Sequence, residues 1–343
     1  MIETLGRTAD VEAINISPGG RNGLAKHIHK SRMTFCACWR MIRNRTHPRI
    51  MYMGCEGDWG LIYTLILAVA ARALGYVIFL HHHSFSYVDR PYRLMRAVMR
   101  VGGDRIRHIF LCSRMQKCFE NTYGDVASAN IISNAAFVNA YTDLEVPTEP
   151  KPLRLGLLSN LTREKGLYTF IELLRLLRRS NIEVKGILAG PITDAQDMAN
   201  VTSAVSELGG TLAYIGPIYG TTKDSFYREI DIFVFPTEYA NEAQPTVLFE
   251  ALASGSRIVA YDRGCIASQI GTHGLTIPIG SDFCKEAYRY IKRTAEEKRD
   301  ILNQRSSIVR SFRDMQRGAL ESARSLLQTS TEQKASPIHE SSL

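Results

Sequence analysis

Short apolar runs rich in strand-forming residues alternate with helical stretches along most of the chain, in two successive series. The first series comprises residues 11–16, 49–53, 76–80, 108–111 and 129–132. The second comprises residues 153–158, 184–189, 212–215, 232–235 and 257–261. Because helices connect parallel strands, this alternation predicts an α/β protein with one doubly wound parallel sheet in each half.

The chain length and one irregular segment predict two domains. At 343 residues the chain exceeds the roughly 150 residues typical of one domain. Residues 143–152 contain three prolines and four charges, a composition that neither a continuous helix nor a central strand tolerates. We therefore predict an N-terminal domain over 1–142, a linker over 143–152, a C-terminal domain over 153–328 that includes helices from 282 to 327, and a disordered tail over 329–343.

Composition and charge indicate a globular protein with anionic partners. The 45% hydrophobic and 22% charged content is typical of a soluble globular protein. A net charge of +8 favours anionic partners, either phosphate-bearing substrates or the cytoplasmic face of a membrane. No basic run interleaved with aromatic residues is present, so nucleic acid is not an expected partner.

The apolar stretch 61–80 approaches the length of a membrane-spanning helix. Arg72 and Gly75 interrupt it, which predicts a buried helix to about Leu74, a turn, and a core strand from Tyr76. Seven cysteines without a regular spacing or a signal peptide predict a reducing, cytoplasmic location. Cys36 and Cys38 have no second ligand pair at zinc spacing, so no metal is expected there.

The strongest local pattern lies in residues 237–255, directly after a predicted strand. Pro245 suits the first turn of a helix, which places Glu242 in the loop before it and Glu250 about two turns inside it. The backbone amides of Ala243, Gln244 and Thr246 could then bind an anion or a sugar oxygen, because a helix start leaves its first N–H groups free. The segment is a candidate cradle for a sugar nucleotide. The alternative is one ordinary loop glutamate and one helical glutamate.

Three further segments place polar groups or glycines beside predicted strands. The loop 159–166 puts Asn160 and Lys165 beyond the carboxyl end of a strand, where ligands of open α/β sheets bind. The alternative is that Lys165 is an ordinary solvated loop lysine. His81, His82 and His83 follow the predicted strand 76–80 of the first series. Alternation along the extended chain sends His81 and His83 to one side and His82 to the other, and no further ligand is near to complete a metal site. Gly19 and Gly20 form a tight turn between a predicted strand and helix, where the backbone could approach a ligand at the helix start. The alternative is an ordinary glycine turn that binds no ligand.

These motifs together resemble the GT-B retaining glycosyltransferases of glycosyltransferase family 4. The resemblance rests on the spacing Glu242-x7-Glu250, the upstream Phe235-Pro-Thr237, the loop 159–166, the turns at Gly190 and Gly216, and the segment 262–266. It covers the second half of the chain, and the first half matches through Gly20, His83, Ser113 and Ser133-Asn134. It implies two Rossmann-like domains facing across a cleft, an N-terminal acceptor domain and a C-terminal donor domain.

The resemblance also implies roles for individual residues. Glu250 would hold the ribose, Glu242 the donor sugar, Lys165 the leaving diphosphate, and His83 the donor sugar or the reacting centre. The remaining donor-binding positions would be Gly20, Asn160, Gly190, Gly216, Gln244, Pro245 and Thr246. Two departures weaken the match: Asn160 replaces a common arginine, and Gly264-Cys-Ile-Ala replaces Gly-Ile-Pro-Glu.

The function that the resemblance implies is transfer of a sugar, with retention, from a nucleotide-sugar donor to a glycan or lipid-linked acceptor in bacterial cell-surface polysaccharide synthesis. No Asp-x-Asp element is present in the sequence, so neither a metal nor another cofactor is expected. The expected location is cytoplasmic, with peripheral contact to the anionic inner face of the membrane. The alternatives are a nucleotide-sugar epimerase, a glycan phosphorylase, and a catalytically silent protein that only binds the donor.

Overall fold

The computed structural model describes residues 1, 6, 10–20, 23–44, 49–139, 152–296 and 298–332, without the side chains of 298–303 and 327–332. The chain divides into two compact units. Unit 1 comprises Met1–Ala136 and Arg317–Leu343, and unit 2 comprises Phe137–Gln316. The predicted linker lies outside the described residues except for Pro152, and so does the predicted tail from residue 333 onward.

Unit 1 contains a four-stranded parallel sheet in the order β1-β2-β3-β4. Its core includes Phe79, Ile109 and Ile132, which pack against Ala323 and Leu326 of the last helix. Its elements are α1 Gly23–Arg43, β1 Ile50–Cys55, α2 Leu61–Ala73, β2 Val77–His82, α3 Arg93–Gly102, β3 Ile106–Phe110, α4 Ser113–Tyr123 and β4 Ala129–Ile131, with 3₁₀ turns at Asp58–Gly60, Gly103–Arg105 and Asn134–Phe137.

The first predicted strand, 11–16, is wrong. The segment forms no strand in the structure, and its three larger apolar side chains, Val11, Ile14 and Ile16, are only half buried. The segment contains strand-forming residues, but a strand also needs a neighbour with which to pair its backbone groups. The glycine turn at Gly19 and Gly20 therefore precedes α1 without following a strand of the sheet.

Unit 2 contains a six-stranded parallel sheet in the order β10-β9-β8-β5-β6-β7. All five predicted strands of the second series are present, and β10 is an additional edge strand that the sequence analysis missed. The elements are β5 Leu153–Leu158, α5 Leu167–Arg179, β6 Val184–Ala189, α6 Ala195–Leu208, β7 Leu212–Tyr214, α7 Gly220–Glu229, β8 Ile232–Phe235, α8 Thr246–Ala253, β9 Arg257–Tyr261, α9 Ile266–Ile270, β10 Gly274–Ile277, α10 Phe283–Glu296 and α11 Lys298–Glu332, with a 3₁₀ turn at Gly209–Thr211.

The strand order of unit 2 is that of a doubly wound Rossmann-like domain. The chain enters at β5 in the middle of the sheet, adds β6 and β7 on one side, and then returns to add β8, β9 and β10 on the other. The direction of winding therefore reverses between β5 and β8. Ligands of open α/β sheets bind beyond the carboxyl ends of the strands at such a switch point.

The C-terminal region differs from its predicted assignment. Residues 317–328, which the sequence analysis placed in the second domain, group with unit 1, because Ala323 and Leu326 pack on the core of that unit. Residues 329–332, which were expected in the disordered tail, belong to α11, since this helix continues to Glu332. Position along the chain cannot show which core an amphipathic helix will cover, because that depends on where the helix runs in space.

The apolar stretch at 61–80 forms a helix, a turn and a strand as predicted. The helix α2 ends at Ala73, Gly75 has a φ of +78°, and β2 begins at Val77. The helix is not buried on all sides, however, because Ile62, Ile66 and Val69 are exposed. Among the helices of the described residues, none is long and apolar enough to span a bilayer.

Candidate functional site

Two predicted side chains meet at the switch point of unit 2. Lys165 lies in the loop after β5 and Glu242 lies in the loop after β8, the two strands between which the winding direction reverses. Lys165 Nζ is 2.6 Å from Glu242 Oε2, and both side chains are largely shielded from solvent. The fold thus joins two residues that are 77 positions apart in the sequence.

The Glu242 carboxylate accepts a hydrogen bond from a neutral group as well as from the lysine. The buried Thr237 hydroxyl donates to Glu242 Oε2 at 3.2 Å. Lys165 Nζ also lies 4.3 Å from the centroid of the Tyr239 ring, within the range of a cation–π contact. Both hydrogen bonds that Glu242 accepts within the described residues use Oε2, which leaves Oε1 for a ligand.

A close approach of two loops sets the position of Lys165. The amide of Glu238 donates to the carbonyl of Glu164 at 2.8 Å. The next residue after Lys165 is Gly166, with a φ of +85°, and a Cβ there would lie 2.5 Å from the carbonyl oxygen of Pro236. Only glycine fits this backbone conformation at this separation. Gly166 therefore allows the β5 loop to lie against the β8 loop.

The start of α8 lies directly after the Glu242 loop. Pro245 is the N-cap residue, one position earlier than a first-turn proline, and no side chain caps the helix start among the described residues. The first backbone amides of α8 are therefore available to an anion. Gln244 is buried, Thr246 is exposed, and the Pro245 carbonyl accepts a hydrogen bond from Gln269 Nε2 at 3.1 Å.

Glu250 has different partners from Glu242. Lys223 Nζ lies 2.7 Å from Glu250 Oε1, and the Tyr227 hydroxyl donates to Oε2 at 2.9 Å. Neither Lys223 nor Tyr227 was predicted from the sequence. Their four-residue spacing was the available signal, since it places both on one face of α7. Nothing in the sequence, however, showed that this face meets Glu250.

The divergent segment after β9 supports the Glu242 loop through its backbone. The amide of Cys265 donates to the carbonyl of Ala243 at 2.7 Å, and Gln269 reaches Pro245 from α9. The departure from Gly-Ile-Pro-Glu in this segment therefore leaves a bonded connection between the two loops. The Cys265 bond uses only main-chain groups, whereas Gln269 contributes its side chain. Gly264 is required for the close approach, because a Cβ there would lie 2.3 Å from the carbonyl oxygen of Glu242.

The other predicted residues of unit 2 follow neighbouring strands. Asn160 is exposed in the loop after β5, Gly190 follows β6, and Gly216 follows β7. The amide of Gly190 donates to the carbonyl of Gly216 at 2.8 Å, and the Tyr214 hydroxyl donates to the Gly190 carbonyl at 3.0 Å. These residues lie at the same edge of the sheet as Lys165, because carboxyl ends of parallel strands share one edge.

The histidines of unit 1 fall into two environments. His81 and His82 are fully buried, whereas His83 is exposed after the end of β2. His82 Nε2 is 2.9 Å from His108 Nδ1, and His82 Nδ1 is 3.0 Å from the Tyr87 hydroxyl. Burial lowers the pKa of His82 well below its usual value and that of His108 to about 4, so both are neutral at pH 7.

His83 and Gly20 are the two predicted site residues of unit 1. The rings of His81 and His83 are 4.1 Å apart, in agreement with the alternation along the strand. Although part of the His83 ring is exposed, the surrounding protein lowers its pKa to about 4. Gly20 is exposed with a φ of +78°. The roles of both in ligand binding remain predictions, as does the expectation of no metal. Among the described residues no group of three or more His, Cys, Asp or Glu side chains is arranged to hold a metal ion.

Two parallel α/β sheets, one of them doubly wound with polar residues at its switch point, define a class of protein: the GT-B fold. Solved structures with this fold align over most of the chain. HepE of Anabaena in complex with UDP aligns at a TM-score of 0.66 and 14% identity, over 88% of this chain and 82% of that one. Sucrose-phosphate synthase of Thermosynechococcus elongatus aligns at 0.64 and 14%, over 94% and 82%. The lipopolysaccharide outer core galactosyltransferase WaaB aligns at 0.64 and 15%, over 89% and 81%.

At these identities the structural likeness shows the fold alone. The activity class comes from a sequence match, because residues 145–306 match the family described as Glycosyl transferases group 1. The chain therefore carries a group 1 glycosyltransferase domain, which contains Lys165, Glu242 and Glu250. No match was found among curated protein sequences.

Proposed function

We propose that this protein is a retaining glycosyltransferase of family 4 that takes its donor as a nucleotide sugar. The Lys165–Glu242 pair at the switch point of unit 2 carries the proposal. It supplies one cation and one carboxylate at the sheet edge where α/β domains bind nucleotides. The HepE structures hold UDP in one case and UDP-glucose in another, which supports a nucleotide-sugar donor for the shared fold.

The chemistry of donor cleavage requires stabilisation of the leaving diphosphate. The Lys165 ammonium has three N–H donors, and one is used by Glu242. The remaining donors and the first amides of α8 would bind the diphosphate oxygens. Asn160 would contribute a neutral amide where other family 4 enzymes have a second cation.

Glu242 would bind the hydroxyls of the donor sugar through Oε1 while Oε2 keeps its contacts with Lys165 and Thr237. Glu250 would bind the ribose. Lys223 and Tyr227 hold its two oxygens from one side, so the carboxylate is fixed in orientation before the nucleotide arrives. A carboxylate offers about four acceptor positions, so two hydroxyls could still bind.

The retaining course would place the leaving diphosphate and the acceptor hydroxyl on the same face of the sugar, with the diphosphate accepting the acceptor's proton. His83 would contact the donor sugar, and the Gly20 loop would approach the diphosphate and the acceptor. The acceptor would be a glycan or a lipid-linked saccharide of a bacterial cell surface, as in the galactosyltransferase WaaB of the lipopolysaccharide core. No metal or other cofactor takes part in the proposed reaction.

A panel of UDP-sugars and GDP-sugars tests the proposal. Binding is measured by calorimetry, and hydrolysis or transfer is measured by release of the nucleoside diphosphate, with Glu242→Ala and Lys165→Ala as comparison variants. We expect one donor to bind and turn over in the native protein, with turnover lost in both variants. NMR of the product should show the anomeric configuration of the donor.

Two outcomes would favour the rival functions. A donor that binds without turnover would indicate a catalytically silent binding protein. A donor whose sugar changes configuration while it stays attached to the nucleotide would indicate an epimerase. Failure of every donor to bind would contradict the proposal itself.

A further inference from the structure

One face of α1 is apolar and exposed. Leu24, Ile28, Phe35, Trp39 and Ile42 recur at helical spacing, and each keeps between 46% and 76% of its surface exposed. With 3.6 residues per turn, these five positions fall within a narrow angular sector of the helix. A continuous row of large apolar side chains on a protein surface marks an interaction site. We call this row the α1 stripe.

The opposite face of α1 is bound to unit 1, which fixes the direction of the stripe. Lys30, Thr34 and Ala37 are buried on that face. Lys30 pairs with Glu56 Oε2 at 2.5 Å, and His27 Nδ1 lies 3.1 Å from the Tyr63 hydroxyl. Because these contacts occupy one side of the helix, α1 cannot rotate to bury the stripe in its own unit.

The neighbouring helix adds further exposed apolar surface. Ile62, Ile66 and Val69 lie one turn apart on α2, and all three are exposed. Trp59, just before α2, is 75% exposed. The two tryptophans of the chain, Trp39 and Trp59, are therefore both on the surface of unit 1. Tryptophan favours the boundary between water and lipid, where its ring is apolar and its N–H is hydrated.

The charges on α1 identify the partner. The helix sequence contains no Asp or Glu, and Arg32, Arg40 and Arg43 are exposed on it. Arg32 lies at the edge of the α1 stripe, while Arg40 and Arg43 lie near its C-terminal end. An amphipathic helix with aromatic and aliphatic residues on one face and basic residues around it binds anionic lipid surfaces. Two copies of this chain packed through the same face would instead bring like charges together.

We propose that the α1 stripe docks unit 1 onto an anionic lipid surface, with Phe35 and Trp39 inserted at the level of the headgroups. Arg32 and Arg43 would pair with lipid phosphates, while Arg40 keeps its ion pair with Glu12. The docked helix would lie in the plane of the interface. This surface is separate from the Lys165–Glu242 site, so the proposal does not depend on the donor chemistry.

Tryptophan fluorescence tests the depth of insertion. The Trp59→Phe variant of the full chain leaves Trp39 as the one tryptophan, which then reports on the α1 stripe alone. We expect its emission to shift to the blue on addition of vesicles of phosphatidylglycerol and phosphatidylcholine, and to be quenched by brominated acyl chains. Vesicles of phosphatidylcholine alone should give a much smaller shift.

Co-sedimentation with the same vesicles tests which residues bind. Phe35→Ser should lower the partition coefficient about tenfold, the transfer cost of one large apolar side chain. Tyr219→Ser is the matched control, because Tyr219 has the same exposure but lies on unit 2, and it should leave the partition unchanged. Replacing Arg32 and Arg43 by glutamine should lower the partition about fivefold per residue and flatten its dependence on salt.

Three results would overturn the proposal. The first is an unchanged Trp39 emission with phosphatidylglycerol vesicles present. The second is equal loss of binding in Phe35→Ser and Tyr219→Ser. The third is a native dimer in analytical ultracentrifugation that Phe35→Ser converts to a monomer, which would assign the stripe to a second copy of the chain. Phe35 is on the surface, so its replacement should leave the fold intact, and circular dichroism would confirm this.

Discussion

Units 1 and 2 both place polar side chains on parallel strands or directly after them, but the environments of these side chains differ. In unit 2 a lysine and a glutamate from separate loops form an ion pair at 2.6 Å that remains in partial contact with solvent. In unit 1 His82 and His108 are neutral, hydrogen-bonded to each other at 2.9 Å, and stacked against Phe110. The first arrangement keeps charge near solvent, and the second removes it.

The difference shows that a strand end does not by itself make a ligand site. A partly exposed ion pair can exchange its partners for an anion and a hydroxyl, because its charges are already in place. A buried neutral histidine pair cannot do so without paying the desolvation cost of a charge. We therefore expect changes at the two strand ends to affect different properties: catalysis in unit 2, and stability against acid in unit 1.

The largest effect should come from Lys165→Ala. We expect kcat/KM for the accepted donor to fall by about a hundredfold or more, because the leaving diphosphate would lose its nearest cation. Steady-state kinetics measures the loss. Lys185→Ala is the matched control, since Lys185 is an exposed lysine on β6 of the same unit. Full activity in Lys165→Ala would contradict the expectation that the strand ends of unit 2 serve catalysis.

Gly190→Ala should destabilise unit 2 by about 3 kcal/mol or more, because the new Cβ would clash with main chain and the backbone conformation would be strained. The Cβ would lie 1.8 Å from the carbonyl oxygen of Ser159, at a φ of +123°. Gly216→Ala is the control: it has a φ of +74° with no atom within 4 Å of the added Cβ. Its cost should be about 1 kcal/mol. Urea unfolding measures both, and equal costs would mean that the β6 loop can move away from β5.

Acid should destabilise unit 1 through His108. The pKa of His108 is about 4 in the folded chain against 6.5 ordinarily, so the unfolded chain binds more protons between these values. Stability is therefore lost as pH falls through this window, by about 2 kcal/mol between pH 7 and pH 5 for this one group. Tryptophan fluorescence follows the unfolding, since Trp39 and Trp59 both belong to unit 1. His108→Gln should flatten the pH dependence, and an equally steep dependence in that variant would exclude His108 as its source.

The smallest effects on catalysis should come from changes at Glu250 and its partner Lys223, beginning with Glu250→Gln. We expect the KM for the donor to rise about tenfold with kcat nearly unchanged, because a ribose contact is made equally in the ground state and the transition state. Lys223→Met should raise KM in the same way but less, since it removes a group that orients Glu250. Steady-state kinetics at varied donor concentration measures KM and kcat separately for both variants. A fall in kcat as large as that of Lys165→Ala would assign Glu250 to the reacting centre.

The sequence predicted more of unit 2 than of unit 1. Five strands of unit 2 and the helix starting near Pro245 could be predicted, because apolar runs, prolines and glycines mark them locally. The segment 11–16 shows the limit of such patterns, since it contains strand-forming residues but forms no strand in the structure. The strand β10 was missed because it begins with a glycine and contains only two large apolar residues, Leu275 and Ile277.

The sequence by itself determined the kinds of groups at the candidate site: a lysine after one strand, a glutamate before a helix start, and a second glutamate on that helix. Only the tertiary structure decided their partners. Lys165 meets Glu242 because the sheet reverses its winding between β5 and β8, and Glu250 on α8 is reached by the side chains of Lys223 and Tyr227 on α7. The reason is physical: local patterns reflect the preferences of neighbouring residues, whereas an ion pair between distant residues depends on how the whole sheet is ordered.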